Sequence, residues 1–342
     1  MSSLTRSFPF ATSRRVNRPG RLDAAPNVFG DHPFGAFRLS VSRLPDGGVA
    51  LAVVAAADRQ RVVFSSPPGR AFLAAALGRY AATGRAGHLR PAETIEKRYR
   101  HQLLTAVSSE SASERPALEL RGRLTAPGAS DSVTYSVRLV DVDGERVGVD
   151  VELPRPDAAA DILFTDLFWA QDPAARVFGF GAQFTHLDMR GRAVPILTAE
   201  QGVGRGAQPL TRYTEAFGGA GGDWWSTYAP VPGFVTTALH GVMLRGTAPA
   251  LFDLRRPGVA GVRVYAPGLN ALFYATTAPT ELLELHTRET GRMPPLPDWA
   301  HAGAVVGMQG GGEKVERVVT ELAAAGTPLA GVWLQDWVGN RK

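Results

Sequence analysis

Alternating apolar and polar residues dominate most of the chain, from about Phe34 to Tyr274. The stretch GAFRLSVSRLPDGGVALAVVAA alternates, turns at residues 45–48 and alternates again, which predicts a β-hairpin. The stretch VTYSVRLVDVDGERVGVDVEL repeats this plan with its turn at Asp143 and Gly144. Many short strands joined by close turns predict an antiparallel β-sandwich of two sheets.

Four stretches depart from the alternation. PPGRAFLAAALGRYAATG is rich in Ala and Leu, which favours a helix. FGFGAQFTHLDMRGR (178–192) and TAEQGVGRG (198–206) are polar and rich in Gly, and they predict long loops. GGDWWSTYAPVPGF (221–234) places aromatic residues near these loops along the chain.

Long loops on a β scaffold often carry function, so we take Glu200, Gln201 and Arg205 as candidate substrate-binding residues. The alternative is a well-packed loop with no ligand. His186 and Asp188 have no third partner at the spacing of metal ligands, so we predict no metal site.

The pattern changes towards the end of the sequence. APTELLELHTRETG starts with Pro279 in a first-turn position and stops at Gly291, which predicts a helix. The Pro-rich RMPPLPDW then suits a domain boundary. HAGAVVGMQ and TPLAGVWLQDW are typical of strands, and the helical pattern GGGEKVERVVTELAAAG lies between them, with an apolar stripe of Val315, Val318, Val319 and Leu322 and a stop at Gly326. These elements predict one parallel β–α–β unit.

The sequence therefore predicts three parts: a disordered basic tail (1–25), a β-sandwich domain (26–293) and the start of a second domain (294–342). A single β–α–β unit leaves strand edges and an apolar face uncovered, so we expect it to open a larger α/β domain that is truncated here. The alternative is a short appendage that docks on the β domain.

Composition narrows the function classes. With 342 residues, 44% apolar and 20% charged, the chain is typical of globular proteins, and it has no apolar run of about 18 residues that would predict a membrane span. The absence of Cys excludes disulfides and thiolate chemistry and suits a reducing compartment, so we expect a cytoplasmic protein. The net charge of +5 comes mainly from scattered arginines, so we predict no nucleic-acid partner.

Polar side chains follow both predicted parallel strands. Gln309 ends the first strand, and Gln335 with Asp336 ends the second, between Trp333 and Trp337. Because ligands bind at the carboxyl ends of parallel strands, we expect these residues to form a site. Amides donate and accept, carboxylates bind paired hydroxyls and indoles stack on sugar faces, so the site suits a hydroxyl-rich ligand. The alternative is that Gln335 and Asp336 only cap loop backbone.

Nucleotide binding is not predicted, although GMQGGGEK has the glycine spacing of a phosphate-binding loop. Glu313 stands where that motif requires Lys, and Val315 stands where it requires Ser or Thr. We therefore expect no cofactor.

Several of these stretches, taken together, resemble the sulfoquinovosidase branch of glycoside hydrolase family 31. They are GFGAQFTHLDMRGRAVPILTAEQGVGR, GGDWW followed by PVPGFVTT, LPDW, GMQGGGE and GVWLQDW, in the order of the family. Residues 1–170 show only a β pattern that is compatible with it. The resemblance implies a galactose mutarotase-like β-sandwich followed by a (β/α)8 TIM barrel, with a sandwich loop that reaches the barrel mouth. It also implies a retaining α-glycosidase whose sugar substrate is an α-sulfoquinovoside.

The resemblance assigns a role to the two glutamines. Most of the family ends the second barrel strand in W-x-D, whose Asp binds sugar hydroxyls, whereas this chain has Gln335 there. The sulfoquinovosidase branch also has Gln there, paired with a Gln at the end of the first strand, which corresponds to Gln309. A carboxylate would repel a sulfonate, while an amide N–H can donate to it. An α-glucosidase or α-xylosidase fragment and a non-catalytic carbohydrate-binding module are the alternatives.

The chain departs from the family pattern at one motif, and the resemblance implies that the Arg and Trp completing the branch's sulfonate pocket would lie beyond Lys342. Ala182 replaces the Glu that the family usually has in G-x-G-E. The catalytic nucleophile and acid/base of the family are aspartates on later barrel strands, so the resemblance implies no catalytic residue in this chain and no activity of the chain alone.

Overall fold

The computed structural model describes residues 18–85, 88–110, 114–154, 162–203, 205, 209–218 and 221–334. The chain divides into two compact units, which we call the β unit (up to Glu289) and the α/β unit (from Thr290). Residues 1–17 of the predicted tail lie outside the described residues, and the sandwich domain and its boundary after residue 293 remain predictions.

The described residues of the β unit form three sheets. In spatial order the nine-stranded sheet has β1 (Leu22–Ala24), β8 (His101–Ser109), β9 (Ala117–Thr125), β10 (Ser132–Asp141), β11 (Arg146–Glu152), β19 (Gly268–Ala275), β16 (His240–Arg245), β15 (Pro230–Thr236) and β13 (Val177–Gly181). The six-stranded sheet has β14 (Ala193–Ile196), β17 (Ala250–Arg256), β18 (Val259–Val264), β12 (Ile162–Ala170), β6 (Leu73–Arg85) and β7 (His88–Tyr99). The four-stranded sheet has β2 (Gly30–Phe34), β3 (Phe37–Arg43), β4 (Val49–Ala55) and β5 (Val62–Ser65). The prediction of a mainly β chain is confirmed.

Both predicted hairpins are present. β3 pairs antiparallel with β4, and their turn closes with a hydrogen bond from Leu44 N to Gly48 O at 2.8 Å. β10 pairs antiparallel with β11 across the second turn, where Gly144 N donates to Asp141 Oδ1 at 2.6 Å. Gly144 has a φ of +81°, a conformation that Gly adopts without steric cost.

Aromatic side chains join the three sheets into one core. Phe273 on β19 contacts Trp169 on β12, with ring centroids 5.3 Å apart, and Phe64 on β5, with centroids 5.0 Å apart. Phe180 on β13 contacts Phe252 on β17 at 5.1 Å. One large cluster of buried apolar residues includes members of all three sheets. The two larger sheets therefore share a core, as sandwich packing requires.

The helix predicted for the Ala-rich stretch is wrong, because this stretch forms strand β6. Leu73, Ala74, Ala75 and Ala76 are each 0% exposed, between β12 on one side and β7 on the other. Small side chains let both faces of the strand be covered closely. Packing against two neighbouring strands thus overrides the helix propensity of Ala.

Two other predictions need correction at their edges. The tail predicted through residue 25 is too long, because Leu22–Ala24 pair with β8 in parallel and Leu22 is 0% exposed. The loop predicted from residue 178 starts later, because residues 178–181 belong to β13. That strand has an irregular register between Gly179 and Gly181, which hides the usual alternation.

In the described part of the chain, the α-helices that accompany these sheets are α1 (Pro209–Gly218) and α2 (Pro279–Thr290). The predicted helix after Pro279 is confirmed as α2, whose Leu282 and Leu285 are buried in a cluster with Tyr274. None of the described helices has the length and hydropathy that crossing a membrane requires.

Glu289 ties the end of α2 to two strands of the nine-stranded sheet. Its carboxylate accepts hydrogen bonds from Arg245 Nη2 at 2.6 Å and from Arg146 Nη1 at 3.2 Å. The hydrogen bond from Arg245 outweighs desolvation and holds the pKa of Glu289 below its usual value. The carboxylate is therefore stabilised in its charged form in the folded state.

Replacing Glu289 by Gln should lower the free energy of unfolding by about 1–3 kcal/mol at pH 7, because hydrogen bonds to charged groups contribute about this much. A depressed folded-state pKa stabilises the protein above the unfolded pKa, and this stabilisation is lost as the pH falls through the folded pKa. Chemical denaturation between pH 7 and pH ~3 should therefore show the gap between wild type and variant closing at acid pH. Glu284→Gln, at an exposed position of the same helix, is the matched control. A gap that does not change with pH would contradict this role of Glu289.

The α/β unit contains β20 (Ala304–Met308), α3 (Gly312–Ala324) and β21 (Leu329–Leu334), preceded by a short 3-10 helix (Asp298–His301). β20 and β21 pair in parallel, so the predicted β–α–β unit is present. The predicted apolar stripe of α3 is half-buried, while most of the other α3 side chains are exposed. Whether this unit opens a barrel remains a prediction.

Candidate functional site

The carboxyl ends of β20 and β21 lie side by side. Gly307 pairs with Trp333 and Met308 pairs with Leu334. Gln309 directly follows β20 and is exposed. In the sequence Gln335 directly follows Leu334, but Gln335, Asp336 and Trp337 lie outside the described residues. The structure therefore aligns the two strand ends from which the predicted glutamines extend.

Apolar side chains near these strand ends face solvent. Trp333 is 64% exposed and Leu334 is 48% exposed, and in the same unit Val305 is 56% exposed. An indole exposed beside polar side chains can stack on a sugar ring. Trp333 is thus available for the predicted ligand.

A second group of candidates lies on three connections of the β unit, which we call the loop platform (residues 182–190, residues 197–203 with Arg205, and residues 221–229). Ala182 N donates to Ala229 O at 3.0 Å, and Thr227 Oγ1 donates to Ala182 O at 2.9 Å. Ala199 N donates to Thr227 O at 3.0 Å, and Thr185 Oγ1 donates to Trp224 O at 2.9 Å. These hydrogen bonds hold the three connections together.

Glycines let the second and third connections approach closely. Gly202 and Gly222 have φ values of +70° and +68°. A Cβ at Gly202 would lie 2.4 Å from Gly222 N, which no side chain tolerates. Gly202 therefore serves close backbone packing.

Arg205 is engaged with backbone carbonyls of the platform. Its Nη2 donates to Trp224 O at 3.3 Å and also to Ser226 O. Its guanidinium lies 5.3 Å from the centroid of the Phe184 ring. Arg205 itself has a φ of +44°, which is unusual for a residue with a side chain. The candidate arginine is thus a structural member of the platform.

Glu200 contacts Tyr228, a residue that was not among the sequence-based candidates. Tyr228 Oη donates a hydrogen bond to Glu200 Oε1, and the tyrosine is 57% exposed. This hydrogen bond raises the pKa of Tyr228. The third candidate, Gln201, is half-buried next to Glu200. The aromatic run GGDWWSTY was the signal that could have pointed to Tyr228.

The remaining titratable residues of the platform have structural partners. Arg192 Nη2 lies 3.1 Å from His186 Nδ1, and burial followed by the charge of Arg192 lowers the pKa of His186. Burial raises the pKa of Asp223, although Trp224 N donates to Asp223 Oδ1 at 2.7 Å. Among the described residues, no group of three or more His, Asp or Glu side chains could hold a metal ion.

Comparison with known proteins finds curated relatives that share one named activity. No family model matches the chain. The chain is 34% identical to a sulfoquinovosidase of Escherichia coli K12 over 173 residues, which are 50% of this chain and 26% of the relative. It is 33% identical to a sulfoquinovosidase of Agrobacterium fabrum over 167 residues, which are 48% of this chain and 25% of the relative. The matched segment thus spans about a quarter of each curated relative.

A solved structure shares the fold. It is a family 31 sulfoquinovosidase from E. rectale, solved in complex with an aza-sugar inhibitor. The TM-score is 0.70 at 24% identity, over 89% of this chain and 42% of that chain. Together, these findings confirm that the chain resembles the sulfoquinovosidases of glycoside hydrolase family 31.

Proposed function

We propose that the chain forms the N-terminal part of a retaining α-glycoside hydrolase that acts on α-sulfoquinovosides. The β unit supplies the sandwich, and the α/β unit supplies the first strand, helix and strand of a (β/α)8 barrel. The observation that carries the proposal is the parallel register of β20 and β21, which ends at the pair Met308 and Leu334. Each of these residues directly precedes a glutamine in the sequence.

Amide side chains suit a sulfonated sugar at this position. Gln309 and Gln335 can each donate N–H groups to sulfonate oxygens without adding negative charge. Asp336 would bind sugar hydroxyls, and the indoles of Trp333 and Trp337 would stack on the ring. The names of the curated relatives support the same substrate class.

No residue of this chain is assigned as nucleophile or acid/base in our proposal. Retaining glycosidases need two carboxyl groups about 5 Å apart. The resemblance places both on later barrel strands, whereas the α/β unit provides two strands among its described residues. The exposed apolar side chains of Val305, Val332 and Leu334 are the surface that further barrel elements would cover.

A chromogenic assay and a binding assay test this proposal. The purified chain should release no nitrophenol from 4-nitrophenyl α-sulfoquinovoside above the buffer rate. In isothermal titration calorimetry it should bind methyl α-sulfoquinovoside about tenfold or more tightly than methyl α-glucoside, because the anion gains charge-assisted hydrogen bonds. Release of nitrophenol would refute the assignment of no catalytic residue, and equal affinities would refute the substrate class.

A further inference from the structure

Tyr228 and Glu200 form an exposed polar pair on the loop platform. The phenol uses its single proton in the hydrogen bond to Glu200 Oε1. The phenol oxygen also accepts from the backbone N–H of Gln201, and its remaining lone pair and those of the carboxylate can accept further hydrogen bonds. A surface of this kind accepts hydrogen bonds from hydroxyl groups and repels an anion. The pair therefore matches the neutral, hydroxylated part of a sugar.

Backbone hydrogen bonds fix the two side chains relative to each other. The bond from Ala199 N to Thr227 O joins the residues that directly precede Glu200 and Tyr228. The bond from Ala182 N to Ala229 O joins the first connection to the residue that follows Tyr228. A preorganised pair loses little conformational freedom when it binds a ligand.

Arg205 anchors the connection that carries Glu200. Its side chain bonds to the carbonyls of Trp224 and Ser226, and Arg205 N donates to Gly221 O at 3.3 Å. All three acceptors belong to the connection that carries Tyr228. Since this guanidinium already donates to two carbonyls, its role is to fix the position of one connection relative to the other.

We propose that Glu200 and Tyr228 together bind hydroxyl groups of a sugar, and that Arg205 is a positioning residue that holds them in place. The sugar as ligand rests on the proposed function, whereas the acceptor character of the pair follows from its own hydrogen bond. Phe184, 67% exposed and in contact with Arg205, offers an apolar ring on the same platform.

Binding of two sugars by single variants tests the pair. In calorimetry on the full chain, Tyr228→Phe and Glu200→Gln should each weaken the Kd for methyl α-sulfoquinovoside and for methyl α-glucoside by about tenfold, as expected for loss of a hydrogen bond to a charged group. Both sugars should respond because both present ring hydroxyls. Tyr80→Phe and Glu119→Gln make the same changes on strands β6 and β9, outside the platform, and should leave both Kd values unchanged.

A spectroscopic titration tests Arg205 separately. In the wild-type protein the hydrogen bond to Glu200 raises the pKa of Tyr228. Arg205→Ala should weaken the Kd and also return the pKa of Tyr228 towards 10, measured as the ultraviolet phenolate transition that is missing in Tyr228→Phe. Direct contact of Arg205 with the sugar would instead weaken the Kd and leave that transition unchanged.

Two results would overturn the inference: no saturable binding of either sugar by the wild-type chain, or unchanged Kd values in both Tyr228→Phe and Glu200→Gln. The outcomes separate the two proposals. If the variants lose affinity while the wild type binds both sugars equally, the pair stands and the sulfonated substrate class fails. If the wild type prefers the sulfonated sugar and the variants bind normally, the substrate class stands and the pair fails.

Discussion

Replacing Asp166 by Ala should destabilise the β unit by about 3–5 kcal/mol, because removing one partner of a buried ion pair leaves the other charge without its nearest counterion. Asp166 on β12 and Arg263 on β18 are both 0% exposed, and Arg263 Nε donates to Asp166 Oδ1 at 2.9 Å. Burial alone would lower the pKa of Arg263, but the carboxylate of Asp166 holds it above its usual value. In the variant, the carboxylate of Glu93, which lies 3.6 Å from Arg263 Nη1, remains as the more distant counterion of the guanidinium. Chemical denaturation measures the change in the free energy of unfolding.

An exposed ion pair provides the control for this change. Arg21 and Asp23 form a contact at 2.7 Å with both side chains largely in solvent, so Asp23→Ala should cost less than about 1 kcal/mol. If Asp166→Ala does not fold, the double variant Asp166→Leu with Arg263→Met should recover much of the stability, because apolar pairs of similar volume often replace buried ion pairs. A cost for Asp166→Ala no greater than that of Asp23→Ala, or no recovery in the double variant, would contradict this account.

Replacing Gln335 by Asp should weaken binding of methyl α-sulfoquinovoside about tenfold to a hundredfold. Two like charges about 4 Å apart repel by about 1 kcal/mol in water and about 4 kcal/mol near a protein surface. Binding of methyl α-glucoside should be retained, because a carboxylate accepts hydrogen bonds from sugar hydroxyls. Calorimetry with both sugars gives the two Kd values. This proposal concerns a residue outside the described part of the chain.

A matched variant separates the local charge from the net charge. Gln60→Asp makes the same substitution at an exposed position of the β unit and should leave both affinities unchanged. Equal weakening of both sugars by Gln335→Asp, or unchanged affinity for the sulfonated sugar, would contradict the role assigned to this amide.

Local signals in the sequence predicted much of the fold. The turns at residues 45–48 and at Asp143–Gly144 contain residues that set their own backbone conformation, and both hairpins are present. The strand after Gly303 and the helix after Gly311 also follow from local patterns of apolar residues and glycines. The parallel pairing of β20 and β21 then follows from the length of the connection.

Contacts between distant residues account for most of what the sequence did not reveal. The Ala-rich β6 becomes a strand because β12, about 90 residues later in the chain, pairs with it on one side, while the adjacent β7 pairs with it on the other. The short strand β1 forms because β8 accepts it about 80 residues later, as in the pairing of Leu22 with Gln102. The same holds for the candidate site, since no spacing rule links Glu200 to Tyr228. Polar residue types suggested the loop platform, but only the fold identified its partners.

Side-chain amide resonances provide the most direct measurement of the central proposal, that two glutamines at the ends of parallel strands bind a sulfonated sugar. In ¹⁵N-labelled chain, the side-chain amide signals of Gln309 and Gln335 can be assigned from Gln309→Ala and Gln335→Ala. Titration with methyl α-sulfoquinovoside should shift both signals along one saturation curve, whereas methyl α-glucoside at the same concentrations should shift them less. Shifts of neither signal, or equal shifts with the two sugars, would contradict the account.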